Sequence, residues 1–275
     1  MRESASKKVC IVVLLILLMI FTLFPLYYLF LTSVKPAGVM FDVPPKFFFS
    51  PSFSEYVNMI VNHKYYRYYL NSILVSFFST LLCLVFGTFG AFAFSAFRFM
   101  GHKFLFLIIL ITRMYPPVTT LIPVFFAIQY MGLHDTRTAV ILAYTGFQIP
   151  FVIWIMRAFF EDIPRDIIES ASLDGATLLT TFRKIIVPLS LPGILATGIL
   201  VFVLNWNEFL FALVLTSYVA KTAPVAVASF AETEGMLQWG TLSVLGVLTI
   251  FPILIIMLFL RKYLIKGLLI GAVKG

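Results

Sequence analysis

Residues 9–34 read VCIVVLLILLMIFTLFPLYYLFLTSV, twenty-six positions without an Asp, Glu, Lys or Arg. A helix that crosses a bilayer needs about 20 apolar residues, because each residue rises about 1.5 Å through a hydrocarbon core about 30 Å thick. Four further runs carry no charge: Tyr68 to Phe97, Thr138 to Met156, Ile185 to Asn207 and Gly235 to Leu260. A sixth, Phe104 to Tyr130, is interrupted only by Arg113. None alternates with the two-residue period of a membrane barrel, and in lipid an isolated strand leaves its backbone unpaired. The pattern predicts an all-α polytopic membrane protein, one domain with six transmembrane helices at about 9–34, 68–97, 104–130, 138–157, 188–216 and 239–260. The first run is far longer than the core of a secretory signal and lacks a small-x-small exit before Lys35, so it reads as a retained span.

Composition agrees. Of 275 residues 61% are hydrophobic and 12% charged, against a usual charged share of about 25% in soluble domains. Such a chain exposes too much apolar surface to be a soluble globule and is too hydrophobic to be disordered. The net charge of +8 could suggest nucleic acid, but here it reads as loop charge that fixes orientation. With both termini cytoplasmic, thirteen Lys and Arg fall on the inner side and six on the outer, as the positive-inside rule requires. Cys10 and Cys83 lie in apolar runs and fit no metal spacing or disulfide framework. His63, His102 and His134 lie in loops without a second ligand at metal spacing, so no metal site is expected and all three histidines read as solvated.

Polarity concentrates in one inner loop, residues 157–192, RAFFEDIPRDIIESASLDGATLLTTFRKIIVPLSLP. Pro164 suits a first helical turn, and Asp162 and Asp166 favour its positive end. Asp174-Gly175 is a turn signal, since glycine tolerates the left-handed conformation that ends a helix. Thr177 to Ile186 then suits a second short helix, and Pro188 and Pro192 mark the start of the next span. The loop between spans four and five, 161–187, is thus an amphipathic helix–turn–helix. By pattern alone it rests on lipid headgroups or docks a soluble partner.

The residues then become recognisable. Glu169-Ser170-Ala171, three residues, Gly175, nine residues, Ile185, one residue and Val187-Pro188 resemble the EAA loop of binding-protein-dependent ABC importers, EAA-x3-G-x9-I-x-LP. Ser170 and Val187 are the departures, both mild. Asp174-Gly175-Ala176, Asn71-Ser72, Gly132-Leu133 with Asp135-Thr136, Trp206-Asn207-Glu208-Phe209, Pro224-Val225 and the ending GLLIGAVKG (267–275) are similar to the sugar-importer branch, to its maltose-type permease subunits with a short cytoplasmic tail. The resemblance covers about residues 71–275.

The resemblance implies a permease subunit of a di- or oligosaccharide importer in the plasma (inner) membrane of a prokaryote. Its implied partners are a second, homologous permease subunit, two ATP-binding subunits and an extracytoplasmic solute-binding protein, besides the sugar and membrane lipid, with no nucleic acid. Glu169, Ala171, Asp174, Gly175, Arg183 and Pro188 would couple to the ATPase, although Arg183 and Lys184 could equally meet phospholipid. The tail 261–275 would insert between the ATP-binding subunits through Gly267, Gly271 and Lys274, or bind anionic lipid. The loops 35–67 and 219–238 would receive the binding protein. The chain lacks a GxxxxGK[ST] phosphate loop, so ATP and magnesium belong to partner chains and this subunit is no enzyme and holds no cofactor itself.

Ionisable groups inside a membrane face cavities or partners. Arg113, about nine residues into its run, lies near the midplane, and Glu208 lies nearer the outside, so an ion pair between them is not expected. Pro116, Pro117 and Pro123 predict a kink or break beyond Arg113. Tyr115, Gln148, Asn205, Trp206 and Asn207, with Arg113 and Glu208, are the candidate substrate path. Amides can hydrogen-bond a polyol and aromatic rings can stack on its C–H faces, yet the same residues also bridge helices. An ABC permease for another solute, such as glycerol phosphate, would want more path-lining cations than Arg113. An ion-coupled secondary transporter would need inverted repeats and midplane carboxylates, of which Glu208 alone is present.

Overall fold

A computed structural model describes residues 5–97, 99–233 and 239–272. Among them the regular structure is entirely helical. The principal helices are α1 (Ala5–Ser33), α2 (Tyr66–Ala96), α3 (His102–Thr112), α4 (Pro117–Tyr130), α5 (Arg137–Glu161), α6 (Arg165–Leu173), α7 (Leu178–Leu189, with a π turn at Phe182–Ile186), α8 (Leu191–Trp206), α9 (Leu210–Leu215), α10 (Ala223–Thr233) and α11 (Trp239–Ala272). Four segments are long and apolar enough to cross a membrane: Lys7–Ser33, Tyr66–Ala96, Arg137–Glu161 and Trp239–Arg261. Two bent pairs raise the number to six if each is one span.

Proline chemistry explains the first bend. Pro117 takes the first position of α4, where its missing N–H costs nothing, and Pro116 before it is extended at ψ 133°. Helix α3 therefore ends at Thr112, and α4 departs at 94° to it. The second bend, 76° between α7 and α8, falls at Ser190 between Pro188 and Pro192. The expected fifth span is also interrupted further on: α8 ends at Trp206, and a short α9 begins only at Leu210. At the C-terminus the helix continues past Leu260 through most of the expected tail, to Ala272.

The chain forms two compact units. One comprises residues 1–66 and 226–252. Within it Ser33 Oγ and Tyr56 Oη lie 2.8 Å apart, Thr241 Oγ1 donates to Glu55 Oε2 at 3.1 Å, and Tyr65 Oη lies 3.1 Å from Thr249 Oγ1. Within the outer loop 35–67, a short helix, Ser54–Val57, is continued by a π turn, Asn58–Asn62.

The other unit comprises residues 67–225 and 253–275 and holds two apolar clusters. Val75, Val140, Tyr144, Phe211 and Leu215 build one; Cys83, Phe92, Val152, Met156, Phe160, Phe182 and Ile186 build the other. Without a hydrophobic force between helices in lipid, close approach depends on small residues at the seam. Gly87 supplies it between α2 and α5: a Cβ there would lie 2.5 Å from Val152 Cγ1. Gly146, also on α5, has nothing within 4 Å of such a Cβ. Gly87→Val is expected to cost about 1–3 kcal/mol and to lower the unfolding temperature of the purified protein, whereas Gly146→Ala leaves it unchanged or raises it.

Candidate functional site

Helix α6 stands out because one side is rooted and the other open. Ala171 is buried, and Ile168 packs on the cluster around Met156 and Phe160. Glu169, Asp166, Ser170 and Asp174 are exposed, and so is Leu173, at 89%. The helix ends as its sequence dictates. Gly175 adopts φ +78°, and the amides of Asp174, Gly175 and Ala176 donate to the carbonyls of Ser170, Ser172 and Ala171. Thr177 caps α7 by accepting from the Thr180 amide at 3.3 Å.

Helix α7 is anchored by Phe182 and Ile186, both buried. The Phe182 ring lies 4.8 Å from that of Phe89 and 4.9 Å from that of Phe92. Arg183, Lys184, Pro188, Leu178 and Leu179 remain exposed. The pair α6–α7 thus presents a mixed acidic, basic and apolar face on a buried aromatic root. At the C-terminus, Gly267 and Gly271 lie on the helical backbone of α11, and Lys274 lies outside the described residues.

The polar groups of the spans divide into two sets. Asn205 is buried and donates from Nδ2 to Ser79 Oγ at 3.0 Å and Thr80 Oγ1 at 3.2 Å, bridging α8 to α2. Gln148 is buried on α5; its Oε1, Thr145 Oγ1 and Asn205 Oδ1 accept nothing among the described residues. Trp206 is buried between Phe202, stacked at 6.2 Å, and Tyr69, edge-on at 5.6 Å. Glu208 turns its carboxylate onto the amides of Phe211 at 3.0 Å and Ala212 at 3.4 Å, the first free amides of α9. Its own carbonyl accepts from the buried Tyr144 hydroxyl at 3.0 Å. The second set is accessible: Tyr115 and Asn207 are exposed and Arg113 half-buried. The Arg113 guanidinium donates to the Phe147 carbonyl at 3.1 Å and lies over the rings of Phe147 and Phe151. It makes no ion pair with a described carboxylate.

A polar clamp that sequence reasoning did not assign stands at the other end of α5, about 37 Å from its Glu161 terminus at 1.5 Å per residue over 25 residues. Asp135, at φ +56°, donates its amide to the Leu215 carbonyl. Its carboxylate accepts from four consecutive amides, Ser217 to Ala220, at 2.9–3.2 Å. Burial raises the pKa of this carboxyl, but the amides of Val219, Ser217, Ala220 and Tyr218 outweigh it, and the pKa lies below the ordinary value. The clamp is therefore charged throughout the neutral range. His134 is a correction: it is not a freely solvated loop residue, since Nε2 lies 3.1 Å from Ser217 Oγ and Nδ1 is buried. Gly132 and the αL-tolerant Asp135 were the sequence signals for a tight connection here; the four amides that meet the carboxylate lie 82–85 residues away.

Among the described residues, regular structure that is entirely helical, with several apolar helices and bends at prolines, is that of a polytopic membrane protein. The chain belongs to the family of binding-protein-dependent transport system inner membrane components, whose model matches residues 84–270. It is 33% identical over 260 residues to the trehalose transport system permease protein SugB of Mycobacterium tuberculosis, covering 93% of each chain. It is 31% identical over 285 residues to the trehalose/maltose transport system permease protein MalG of Thermococcus litoralis, covering 100% of both. It is also 33% identical over 261 residues to the arabinooligosaccharides transport system permease protein AraQ of Bacillus subtilis, covering 92% of this chain and 91% of that one. Among solved structures, a chain of a bacterial ABC transporter that imports the acidic polysaccharide alginate superposes with a TM-score of 0.80 at 25% identity, covering 96% of this chain and 99% of that one.

If Asn205 chiefly braces α8 against α2, Asn205→Ala removes two interhelical hydrogen bonds worth about 0.6 kcal/mol each. The unfolding temperature falls while the solute concentration for half-maximal transport stays within twofold of wild type. A large rise in that concentration would instead put Asn205 on the path.

Proposed function

We propose that this chain is one permease subunit of an ATP-driven importer of a di- or oligosaccharide. Its relatives at 31–33% identity over nearly their whole length are permeases for trehalose, maltose and arabinooligosaccharides, which supports that solute class. In this reading α3 and α4 together make one span, and α8 makes another with α7 outside the membrane at its cytoplasmic end. Six spans and the thirteen-to-six distribution of basic residues leave both termini in the cytoplasm of a prokaryotic cell. The chain forms half of the pathway with a second, homologous permease. Two ATP-binding subunits hold ATP and magnesium, and an extracytoplasmic binding protein delivers the solute.

The observation that carries the coupling part is the construction of α6 and α7. Ile168, Ala171, Phe182 and Ile186 are spent inward on the protein, while Glu169 and Asp174 share the open side with Leu173, Leu178 and Leu179, so that side is not the purely apolar face that lipid would take. Such a face suits a cleft in a soluble partner with basic groups opposite Glu169. Gly175 gives the turn its left-handed residue, and α11 carries the tail toward the same partner through Gly267, Gly271 and Lys274. Tyr115, Asn207 and the half-free guanidinium of Arg113 are the path residues open to a polyol, while Asn205, Trp206 and Glu208 brace the helices around them and Gln148 is buried.

Coexpression with the ATP-binding subunit tests the coupling role. Glu169→Lys is expected to reduce transport and ATPase copurification at least tenfold while leaving the amount of permease in the membrane unchanged. Retained assembly and transport would rule the coupling role out. Vesicle uptake supplies the class test: ATP drives accumulation, and an ion gradient without ATP does not.

A further inference from the structure

We propose that Asp135 is a positioning residue. It holds residues 217–222 as a rigid face on which the exposed Tyr218 and Val219 receive the extracytoplasmic solute-binding protein. This rests on the importer reading and topology of the preceding section, which put this end of α5 outside the cell.

The segment between α9 and α10 is held from three sides. From below, the Asp135 carboxylate gathers the amides of Ser217 at 2.9 Å, Val219 at 3.0 Å, Tyr218 at 3.1 Å and Ala220 at 3.2 Å. From α2, Asn71 Nδ2 donates to the carbonyls of Val219 at 2.8 Å and Lys221 at 2.9 Å. The Asn71 amide is in turn fixed by Arg137 Nε, which donates to its Oδ1 at 2.7 Å. Beyond the segment, the Ala223 amide donates to Ser72 Oγ at 2.7 Å. Asp135, Asn71 and Ser72 thus take four amides and two carbonyls of residues 217–222 and the first amide of α10.

The division of exposure matches this. Ala220, Thr222 and Ala223 are buried, whereas Tyr218 is 83% and Val219 70% exposed. A loop that pairs its backbone downward and lifts a tyrosine and a valine into the open is preorganised: the ordering cost of its backbone is met before any partner arrives. Tyrosine is enriched at protein interfaces because it offers a large rigid surface with one polar tip. The family is by its description binding-protein-dependent, so a soluble partner must meet the outer face. Asparagine cannot replace Asp135. Its amide offers one acceptor oxygen and turns N–H groups toward the N–H groups of the loop.

The full transporter, reconstituted in liposomes, supplies the test: ATPase rate is titrated with its solute-loaded binding protein. Asp135→Asn is expected to raise the half-saturating concentration of binding protein at least fivefold, with the maximal rate and the ATP concentration for half-maximal rate within twofold of wild type. A merely structural role would lower the amount of assembled transporter and the maximal rate without moving half-saturation. Tyr218→Ala, which removes only exposed surface, is expected to shift half-saturation in the same direction, and Asn71→Ala releases the segment from its carbonyl side if Asp135→Asn fails to assemble. Wild-type half-saturation in Tyr218→Ala, together with wild-type half-saturation in whichever clamp variant assembles, overturns the proposal and leaves the importer reading intact. A wild-type complex indifferent to the binding protein overturns both. A photo-crosslinker at position 218 that captures only lipid shows that the tyrosine is an interfacial anchor and overturns the docking role.

Discussion

Hydrocarbon supplies no hydrogen bonds, so each place where a membrane helix stops must find partners for its free amides and carbonyls within the protein. That constraint organises the larger unit of this fold. At the break after Trp206, the Asn207 amide group donates to the Val203 carbonyl, the Glu208 carboxylate takes the amides of Phe211 and Ala212, and the Tyr144 hydroxyl takes the Glu208 carbonyl. At the break before α4, Thr112 Oγ1 donates to the Ile109 carbonyl in the last turn of α3 at 2.7 Å, and Pro117 brings no amide that needs a partner. Proline opens this break, and side chains take up groups that the ended helices leave free.

This changes what the intramembrane polar residues mean. Read along the sequence, Asn205 to Glu208 is a polar island in an apolar run, and an island of that kind suggests a solute path. In the fold, Glu208 is first a partner for the start of α9 and Asn205 a rivet between α8 and α2. The Glu208 carboxylate meets a solute only by exchanging partners, which costs a hydrogen bond in a medium that does not replace it, whereas Asn205 commits its Nδ2 and keeps a buried Oδ1 without a donor among the described residues. Arg113 differs. Its guanidinium has five N–H donors and spends one recorded bond on the Phe147 carbonyl while its planar face is covered by Phe147 and Phe151. Capacity remains for another acceptor.

Local chemistry was legible in the sequence wherever it acted on its own neighbours. Pro116-Pro117 announced the bend beyond Arg113, Asp174-Gly175 the end of α6, and the uncharged runs the apolar helices. What stayed hidden depends on residues far apart in the chain. The Asp135 carboxylate and the Ser217 amide are 82 positions apart, and nothing in either stretch alone forecasts their meeting. His134 looked solvated for the same reason: its partner, Ser217, lies 83 residues away. The termination of α8 at Trp206 was masked by hydrophobicity, because Leu210 to Leu215 continue the apolar composition of the run although the helix has already stopped.

The two anchored connections lie at opposite ends of one helix. At its Glu161 terminus α5 leads through Pro164 into α6, whose Ile168 packs back on the cluster around Met156 and Phe160 and whose Ala171 is buried. At its Arg137 terminus it carries the residue that fixes Asn71 and, two positions earlier, the carboxylate that gathers Ser217 to Ala220. Between them α5 is close-packed on Gly87 of α2 through Val152, where a Cβ would not fit. In the proposed importer, a displacement imposed on α6 by an ATP-driven partner would therefore have to move α5 as a rod together with what is clamped to its far end. The charge state of Asp135, held ionised by those amides, makes the fastening independent of pH across the neutral range.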